Sequence, residues 1–223
     1  MDLRYSRNLP ALTEADCTRL QTKRALIVGC GGLGGYLIET LARVGIGTLR
    51  VVDGDVFDAT NLNRQMLCTP DLLGTPKAQA ARIRIHSINP AVVVDDHAVF
   101  LKPQNAAELV SDCDIVLDAL DTIEGRRCLY KAAQQANIPY VYGAISGWVA
   151  QAALFLPDDA GIPALYPEGT RLSERSVLSF TPPLCAAMQS ALAIQHLCEK
   201  SPENNVLHYV DLSTMEFETI PLP

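Results

Sequence analysis

Residues 24–53 read RALIVGCGGLGGYLIETLARVGIGTLRVVD, and this stretch decides the fold. Its first segment, Arg24–Val28, is a short apolar run of the kind that forms a strand buried on both faces. A glycine-rich turn follows, and Tyr36–Val44 then carries apolar side chains at helical spacing. The segment Thr48–Val52 is a second predicted strand, which ends at Asp53. We therefore predict a β–glycine loop–α–β unit.

Gly29-x-Gly31-x-x-Gly34 has the spacing of a nucleotide-binding fingerprint, and Asp53 lies 19 residues beyond Gly34. Glycines let the backbone approach a phosphate, and the amides at the start of the helix attract it. An acid at the end of the next strand can accept hydrogen bonds from ribose hydroxyls. A turn that serves only tight packing of helix on sheet is the alternative, and the motif alone does not distinguish NAD, FAD or ATP. The candidate phosphate-binding positions are Gly29, Gly31, Gly32 and Gly34.

Strand–helix alternation continues outward from this unit to residue 142. The predicted helices are Pro76–Ser87, Pro103–Val110 and Gly125–Ala136, and the predicted strands are Ala91–Val99, Asp114–Leu117 and Pro139–Tyr142. Such alternation is typical of a parallel, doubly wound sheet.

The pattern changes after Gly143. The sequence there predicts a strand at Val149–Leu156, a loop or crossover at Asp158–Thr181, an apolar helix at Pro183–Glu199, and a closing hairpin of Val206–Asp211 and Glu216–Ile220. Residues 1–23 read as a polar helical arm with a possible N-cap at residues 13–16. We predict one α/β domain over residues 1–223, with a Rossmann-like, mostly parallel sheet and an antiparallel C-terminal extension. Its parts are the helical arm (1–23), a nucleotide-binding part (24–147) and a C-terminal part (148–223).

Composition excludes several classes of protein. Of the 223 residues 48% are hydrophobic and 19% are charged, which is globular rather than disordered composition. The net charge of −7 argues against a non-specific nucleic-acid binder. The apolar runs are far shorter than the roughly 20 residues of a membrane-spanning helix, and the N-terminus is polar. Seven cysteines without a Cys-x-x-Cys pair favour a reducing cytoplasm.

A polar and cationic segment follows the second strand. It consists of Asp53-x-Asp55, then Asn61-Leu62-Asn63-Arg64-Gln65, and then Lys77 at the start of a helix. A nicotinamide dehydrogenase has no obvious use for these side chains, whereas a triphosphate does, because Arg64 offers a planar fork of donors and Lys77 a point charge. A lysine is unfavourable at a helix N-terminus, so its presence there indicates a nearby anion. Each cation taken singly has the alternative of a solvated surface residue.

With these residues in view, the chain resembles the ATP-dependent adenylyltransferases related to ubiquitin-activating enzymes, or E1 enzymes. That family includes the molybdopterin-synthase and thiamine sulfur-carrier adenylyltransferases. The resemblance covers roughly residues 4–221. It rests on residues 4–7 (RYSR), 28–35, 53–55, 61–65 (NLNRQ), 74–77 (GTPK), 88–90 (INP), 118–121 (DALD) and 209–217.

The resemblance implies a role for each candidate residue. Asp53, with Asp55 beside it, would hold the ribose; Asn61, Arg64 and Lys77 would bind the phosphates; Gln65 would shape the pocket; Asp121 would bind Mg²⁺; and Arg7 would reach into the ATP site of a partner subunit in a two-fold dimer. For Arg7 the alternative is an exposed arm charge, and for Asp118 and Asp121 it is an acid that caps a buried strand. The implied reaction is ATP-dependent adenylation of the C-terminal glycine of a small ubiquitin-fold protein, a sulfur carrier or ubiquitin-like modifier ending in Gly-Gly, with release of pyrophosphate.

The chain departs from the family in its cysteines. Many members hold a structural zinc with two Cys-x-x-Cys pairs, and neither pair is present here, so we expect no zinc. Some members carry a cysteine in the crossover loop, but residues 168–181 have none, and Cys185 is the nearest candidate. We interpret Cys185 as a packing residue. Two other functions remain open, an NAD-dependent reductase and a non-catalytic Rossmann-type scaffold, and the sequence does not identify the carrier protein or its pathway.

Overall fold

Eight strands form one sheet in the computed structural model, which describes residues 2–171 and 176–223. Their spatial order is β3-β2-β1-β4-β5-β6-β7-β8. The first five strands of that order run parallel, and each pairing from β5 to β8 is antiparallel. The strands are β1 (Arg24–Val28), β2 (Thr48–Val52), β3 (Val93–His97), β4 (Ile115–Asp118), β5 (Tyr140–Ser146), β6 (Val149–Phe155), β7 (Val206–Asp211) and β8 (Glu216–Pro221). The predicted fold class, a mostly parallel sheet with an antiparallel C-terminal extension, is confirmed.

Helices cover both faces of this sheet. The α-helices are α1 (Glu14–Leu20), α2 (Gly32–Val44), α3 (Lys77–Ile88), α4 (Ala106–Val110), α5 (Ile123–Gln135), α6 (Gly161–Leu165) and α7 (Thr181–Leu197). One apolar core joins α2, α3 and α7 to the face that carries Ile27, and a second core joins α4, α5 and α6 to the face that carries Leu26. Since successive residues of a strand point to opposite faces, β1 contributes to both cores, which is why it reads as a continuous apolar run.

The register of the sheet positions the site. Val28 pairs with Val52 on one side and with Asp118 on the other, so β1, β2 and β4 end at one level. The residues that follow the strands therefore meet at the carboxyl edge of the sheet, where ligands of open α/β sheets bind.

The N-terminal arm is packed against the domain. Thr13 and Asp16 form the predicted N-cap as a reciprocal capping box at the start of α1. A 3₁₀ helix, Leu3–Asn8, precedes it and buries Tyr5, whose hydroxyl accepts a hydrogen bond from Asn89 Nδ2 at 2.9 Å. None of the helices in residues 2–171 and 176–223 has the length and apolar character needed to cross a membrane.

Two predicted boundaries differ from the structure in instructive ways. Helix α2 begins at Gly32 rather than Tyr36, so its first turn is made of the glycine loop itself. The stretch predicted as a loop at 158–181 contains α6 and a bridge between Gly147 and Val177, and its residues 172–175 lie outside the described part of the chain.

Candidate functional site

A cavity of about 870 Å³ opens at the carboxyl edge of the parallel strands. It is bounded by the loop after β1, the residues after β2, the start of α3 and the loop after β4. Its far end reaches the residues around the β5–β6 turn. The sequence-predicted residues among those that line it are Gly29, Gly31, Gly32, Asp53, Asp55, Arg64, Gln65, Lys77 and Asp121.

The glycines of the loop divide into two kinds. A Cβ on Gly34 would lie 1.7 Å from the carbonyl oxygen of Gly29, and a Cβ on Gly29 would lie 2.5 Å from the carbonyl oxygen of Ala119. These two glycines therefore serve the tight packing of α2 on the sheet, and Gly34 does not line the cavity. At Gly31 and Gly32 the nearest atoms to an added Cβ belong to Gln65 and Arg64, at 3.5 and 3.6 Å. Their backbone faces the cavity and leaves room for a ligand to approach.

Asp53 is held at the entrance to the glycine loop. Its Oδ2 accepts a hydrogen bond from the Cys30 N–H at 2.7 Å, and its Oδ1 accepts one from the Asp55 N–H at 2.8 Å. Burial raises the pKa of this carboxyl, and the two backbone donors oppose that rise. Each carboxylate oxygen has a second lone pair, so Asp53 can also accept hydrogen bonds from ribose hydroxyls.

Two cations line the cavity beside this acid. Lys77 is only 7% exposed, at the first position of α3, and its Nζ lies 3.3 Å from Asp55 Oδ2. Arg64 is half-buried, and its Nη1 donates to the Thr60 carbonyl at 3.0 Å and to Asn63 Oδ1 at 2.7 Å. The positive end of the α3 backbone adds to the charge of Lys77, so an anion bound here would interact favourably with both.

The two amides predicted for this segment have different surroundings. Asn61 is buried, and its Oδ1 accepts from the Asp58 N–H, so it caps a 3₁₀ helix, Ala59–Asn61, and does not line the cavity. Asn63 lines the cavity instead. Gln65 is also buried, and its Oε1 has no hydrogen-bond partner among the described residues. An unsatisfied buried acceptor beside Gly31 is consistent with a ligand that donates to it.

The two acids after β4 also differ. Asp121 is exposed at the cavity wall. Asp118 is fully buried and forms an ion pair with Arg126, so it is the acid that closes a buried strand. Burial raises the pKa of Asp118, and the Arg126 guanidinium opposes that rise.

Arg126 also lines the cavity, although it was not among the predicted site residues. It lies in the first turn of α5 and is buried on the same side of the helix as Ile123, Leu129 and Tyr130. The sequence does contain one indication of its role, because Arg126 is a charged residue at an apolar position of the helix. A charge buried at such a position needs a buried partner.

Two other candidates lie away from the cavity lining. Arg7 is exposed at the end of the first 3₁₀ helix. Cys185 is fully buried, its Sγ lies 3.2 Å from the Gln151 carbonyl oxygen, and burial raises the pKa of its thiol to about 12. This environment supports its interpretation as a packing residue. Across residues 2–171 and 176–223, no group of three or more His, Cys, Asp or Glu side chains is placed to hold a metal ion.

The fold, with its cavity at the carboxyl edge of the sheet, is that of an α/β protein of the doubly wound, nucleotide-binding class. Residues 5–223 match the model of the ThiF family, and the chain belongs to that family. The family predicted from the sequence is therefore confirmed.

Curated relatives carry adenylyltransferase or activating-enzyme names. The chain is 35% identical to the SAMP-activating enzyme E1 of Haloferax volcanii, over 91% of this chain and 78% of that protein. It is 41% identical to the probable adenylyltransferase/sulfurtransferase MoeZ of Mycobacterium tuberculosis, over 74% of this chain and 44% of that protein. It is 39% identical to the sulfur carrier protein ThiS adenylyltransferase of Bacillus subtilis, over 58% of this chain and 39% of that protein. The chain thus spans less than half the length of the last two.

Solved structures share the fold. The crystal structure of Escherichia coli MccB with ATP superimposes with a TM-score of 0.85, at 22% identity, over 100% of this chain and 72% of that one. The crystal structure of PaaA gives a TM-score of 0.81, at 22% identity, over 93% of this chain and 67% of that one.

Proposed function

We propose that this chain uses ATP to adenylate the C-terminal carboxylate of a small ubiquitin-fold protein, with release of pyrophosphate. The observation that carries the proposal is the cavity wall, where open glycine backbone, Arg64, Lys77 and Asp121 face one space. The names of the relatives, a SAMP-activating enzyme and sulfur-carrier adenylyltransferases, support the class of substrate.

The residues present fit a bound ATP. The backbone at Gly31 and Gly32 leaves space for phosphate, and the buried Gln65 Oε1 lacks a partner among the described residues. Asp53 would accept from the ribose hydroxyls, as its fixed carboxylate suggests. Arg64 would donate its planar fork to the polyphosphate, and Lys77 would add a buried point charge.

A magnesium ion also fits the donor set. Mg²⁺ prefers oxygen ligands and commonly binds through one or two carboxylates together with substrate phosphates and water. Asp121 would hold the ion, which would neutralise charge on the triphosphate.

In the proposed reaction the carboxylate of the carrier attacks the α-phosphorus of ATP. The bond between the α-phosphorus and the bridging oxygen breaks, and pyrophosphate leaves. No side chain needs to form a covalent bond. The task of Arg64 and Lys77 is to stabilise the charge that develops on the phosphates, and the task of the cavity is to align the attacking carboxylate.

The proposal extends to a two-fold homodimer in the cytoplasm. Arg7 is exposed on the packed N-terminal arm and lies outside the cavity of its own chain. In the dimer it would complete the ATP site of the partner subunit, where another cation could bind the polyphosphate.

ATP–pyrophosphate exchange tests the activity. Ubiquitin-fold proteins ending in Gly-Gly from the same genome are purified and added in turn, and exchange is expected with at least one of them. The same carrier lacking its last glycine is the matched control and should support no exchange. Thermal unfolding with ATP·Mg²⁺ and with NAD⁺ separates the nucleotides. Stabilisation by NAD⁺ without stabilisation by ATP·Mg²⁺ would favour the reductase and overturn the proposal.

A further inference from the structure

The buried side chain of Arg126 donates hydrogen bonds to three parts of the chain. Its Nη1 donates to Asp118 Oδ2 at the end of β4 and to the carbonyl of Gly143 in β5 at 2.8 Å. Its Nη2 donates to the carbonyl of Leu120 at 2.6 Å. One guanidinium thus joins a strand end, the neighbouring strand and the loop that leads to Asp121.

The hydrogen bonds to Leu120 fix both peptide groups that precede Asp121. The Leu120 N–H donates to Asp118 Oδ1 at 2.8 Å, which orients the peptide between residues 119 and 120. The Leu120 carbonyl belongs to the peptide between residues 120 and 121 and accepts from Arg126. On the other side of Asp121, the Thr122 hydroxyl accepts from the Gly125 N–H and caps α5. The backbone of Asp121 is therefore held between two anchored points.

Arg126 also contacts the opposite wall of the cavity. Its guanidinium carbon lies 5.0 Å from the ring centroid of Tyr142 and 5.9 Å from that of Tyr166, and the two hydroxyls are 2.6 Å apart. Tyr166 and Gln151, which accepts a hydrogen bond from Tyr142, line the far part of the cavity. Arg126 thus packs between the Asp121 side of the cavity and the side nearer β5 and β6.

Fold stability alone does not explain this residue. A cation in the first turn of a helix opposes the helix dipole. A buried ion pair is often no more stabilising than apolar residues of similar volume, because both charges lose their hydration. A guanidinium has several hydrogen-bond donors in one rigid plane, so it can fix the orientation of a particular peptide group. An apolar side chain cannot do this.

We propose that Arg126 is a positioning residue, which with Asp118 fixes the peptide before Asp121 and so holds Asp121 for the nucleotide-bound magnesium ion. The inference rests on the function proposed above. Arg126 would affect only the magnesium-dependent part of ATP binding, and it would not contact the reacting atoms.

The test compares two buried arginines that receive the same substitution. Arg126→Lys keeps the charge but cannot reach Asp118, Gly143 and Leu120 together. Arg50→Lys is the matched control, because Arg50 is also buried and donates to a carboxylate, Asp95, and to the backbone carbonyls of Leu109 and Ser111. Arg50 does not line the cavity.

The first measurement is calorimetric binding of ATP to each full-length chain, in excess Mg²⁺ and in EDTA. We expect Mg²⁺ to tighten binding to the unsubstituted chain, and Asp121→Asn to abolish that gain. Arg126→Lys should weaken the Mg²⁺-dependent gain by about 10- to 100-fold, as loss of a group that orients a metal ligand does. Affinity in EDTA should stay unchanged, and Arg50→Lys should keep the full gain.

The second measurement is hydrogen exchange of the amides of residues 119–122 without any ligand. Arg126→Lys should speed exchange at Leu120 by about tenfold, the change expected when a hydrogen bond supported by a charged group is weakened. Arg50→Lys should leave these amides unchanged.

The outcomes separate the two proposals. If Asp121→Asn loses the Mg²⁺-dependent gain and Arg126→Lys keeps it, Arg126 is only structural and this inference is overturned. If the unsubstituted chain binds no ATP, the proposed function fails, and the inference fails with it whatever the exchange data show. Equal losses in Arg126→Lys and Arg50→Lys would assign the effect to general destabilisation and also overturn it.

Discussion

The parallel and antiparallel halves of the sheet place their polar side chains differently. In β1, β2 and β4 almost every residue is buried, and polar side chains gather just beyond the carboxyl ends, where they line the cavity. In β8 all six residues are exposed, and Phe217 at 65% exposure is more exposed than any core residue. Buried strands hold the residues that follow them in fixed positions, whereas the outer hairpin extends the sheet with little burial. The comparison predicts that chemistry depends on the parallel half.

The largest expected effect is on the rate of adenylation. Arg64→Ala and Asp121→Ala should each lower the pyrophosphate-exchange rate by about 10²–10³, because each removes a contact where charge develops in the transition state. The unfolding temperature should change little, since both side chains lie at the cavity wall. Exchange rates and thermal unfolding of the same preparations check this.

Arg82→Ala is the matched control, because Arg82 is a half-exposed cation on α3 that pairs with Asp96 away from the cavity lining. It should keep the exchange rate. A loss as large as that of Arg64→Ala would show that overall charge, rather than position at the cavity, controls the rate.

The next prediction tests whether the ATP site in the parallel half of one subunit needs Arg7 from the N-terminal arm of its partner. Arg7→Ala and Asp121→Ala chains, each expected to have a strongly lowered rate alone, are mixed and allowed to exchange subunits. If Arg7 acts across a two-fold dimer, about a quarter of the unsubstituted activity should return, since half of the dimers are mixed and each has one intact composite site.

Subunit exchange itself is followed with two differently tagged chains. Mixed dimers without recovered activity would contradict the shared site and leave Arg7 acting within its own chain or not at all. An Asp121→Ala chain mixed with itself supplies the background rate.

A smaller expected effect is on the pH dependence of stability, at an ion-pair cluster on helices α2 and α3. Glu39 is buried on α2 and forms ion pairs with Arg43 of α2 and Arg84 of α3. Burial alone would raise the pKa of Glu39, but the two arginines outweigh it and leave the pKa below its usual value. A lowered pKa in the folded state stabilises the fold above the unfolded pKa, and this contribution is lost as the pH falls through the folded value.

Glu39→Gln should therefore lower the free energy of unfolding at pH 7 by about 1.5–3 kcal/mol, the range for hydrogen bonds to charged groups. The free energy of unfolding of the Glu39→Gln chain should also fall less steeply as the pH drops below the ordinary pKa of Glu. Urea unfolding at a series of pH values checks both results. Glu218→Gln on the exposed strand β8 is the control and should change neither, and an equal effect there would remove the contrast between the halves.

The success of sequence prediction also differs between parts of the molecule. The bounds of β1 and β2 were predicted correctly because each is a short run of mainly apolar residues, ended by Gly29 after β1 and by Asp53 after β2. The start of α2 was placed four residues late, since glycines have low helix propensity and their helical turn depends on packing against Gly29 and Ala119. Tertiary contacts, which propensity does not contain, set that boundary.

In the candidate site too, local motifs located residues of the cavity, whereas a residue placed by tertiary contacts was not predicted. Arg64, Lys77 and Asp121 were predicted from local motifs, and all three line the cavity. Asn61 was predicted to bind phosphate, but Asn63 lines the cavity instead. The segment is irregular and has no period that would assign its side chains to a face. Arg126 was not among the predicted residues. Its position on the apolar side of α5 indicates only that it has a buried partner, and the pairing with Asp118 across a strand end is a tertiary contact.

The smallest expected effect concerns Cys185, which lies on α7 against the antiparallel half. Burial raises the pKa of its thiol to about 12 and shields its sulfur from solvent, so Cys185 should react with a thiol reagent only when the folded chain opens. Cys185→Ala should keep the exchange rate within about twofold and lower stability by about 1 kcal/mol, as small deletions in a core do. Cys128, a half-buried thiol on α5, is the internal comparison and should be labelled first. If Cys185→Ala abolished exchange while the unfolding temperature stayed constant, the thiol would have a chemical role. The contrast between the two halves would then fail, because a residue packed against the antiparallel half would control the rate.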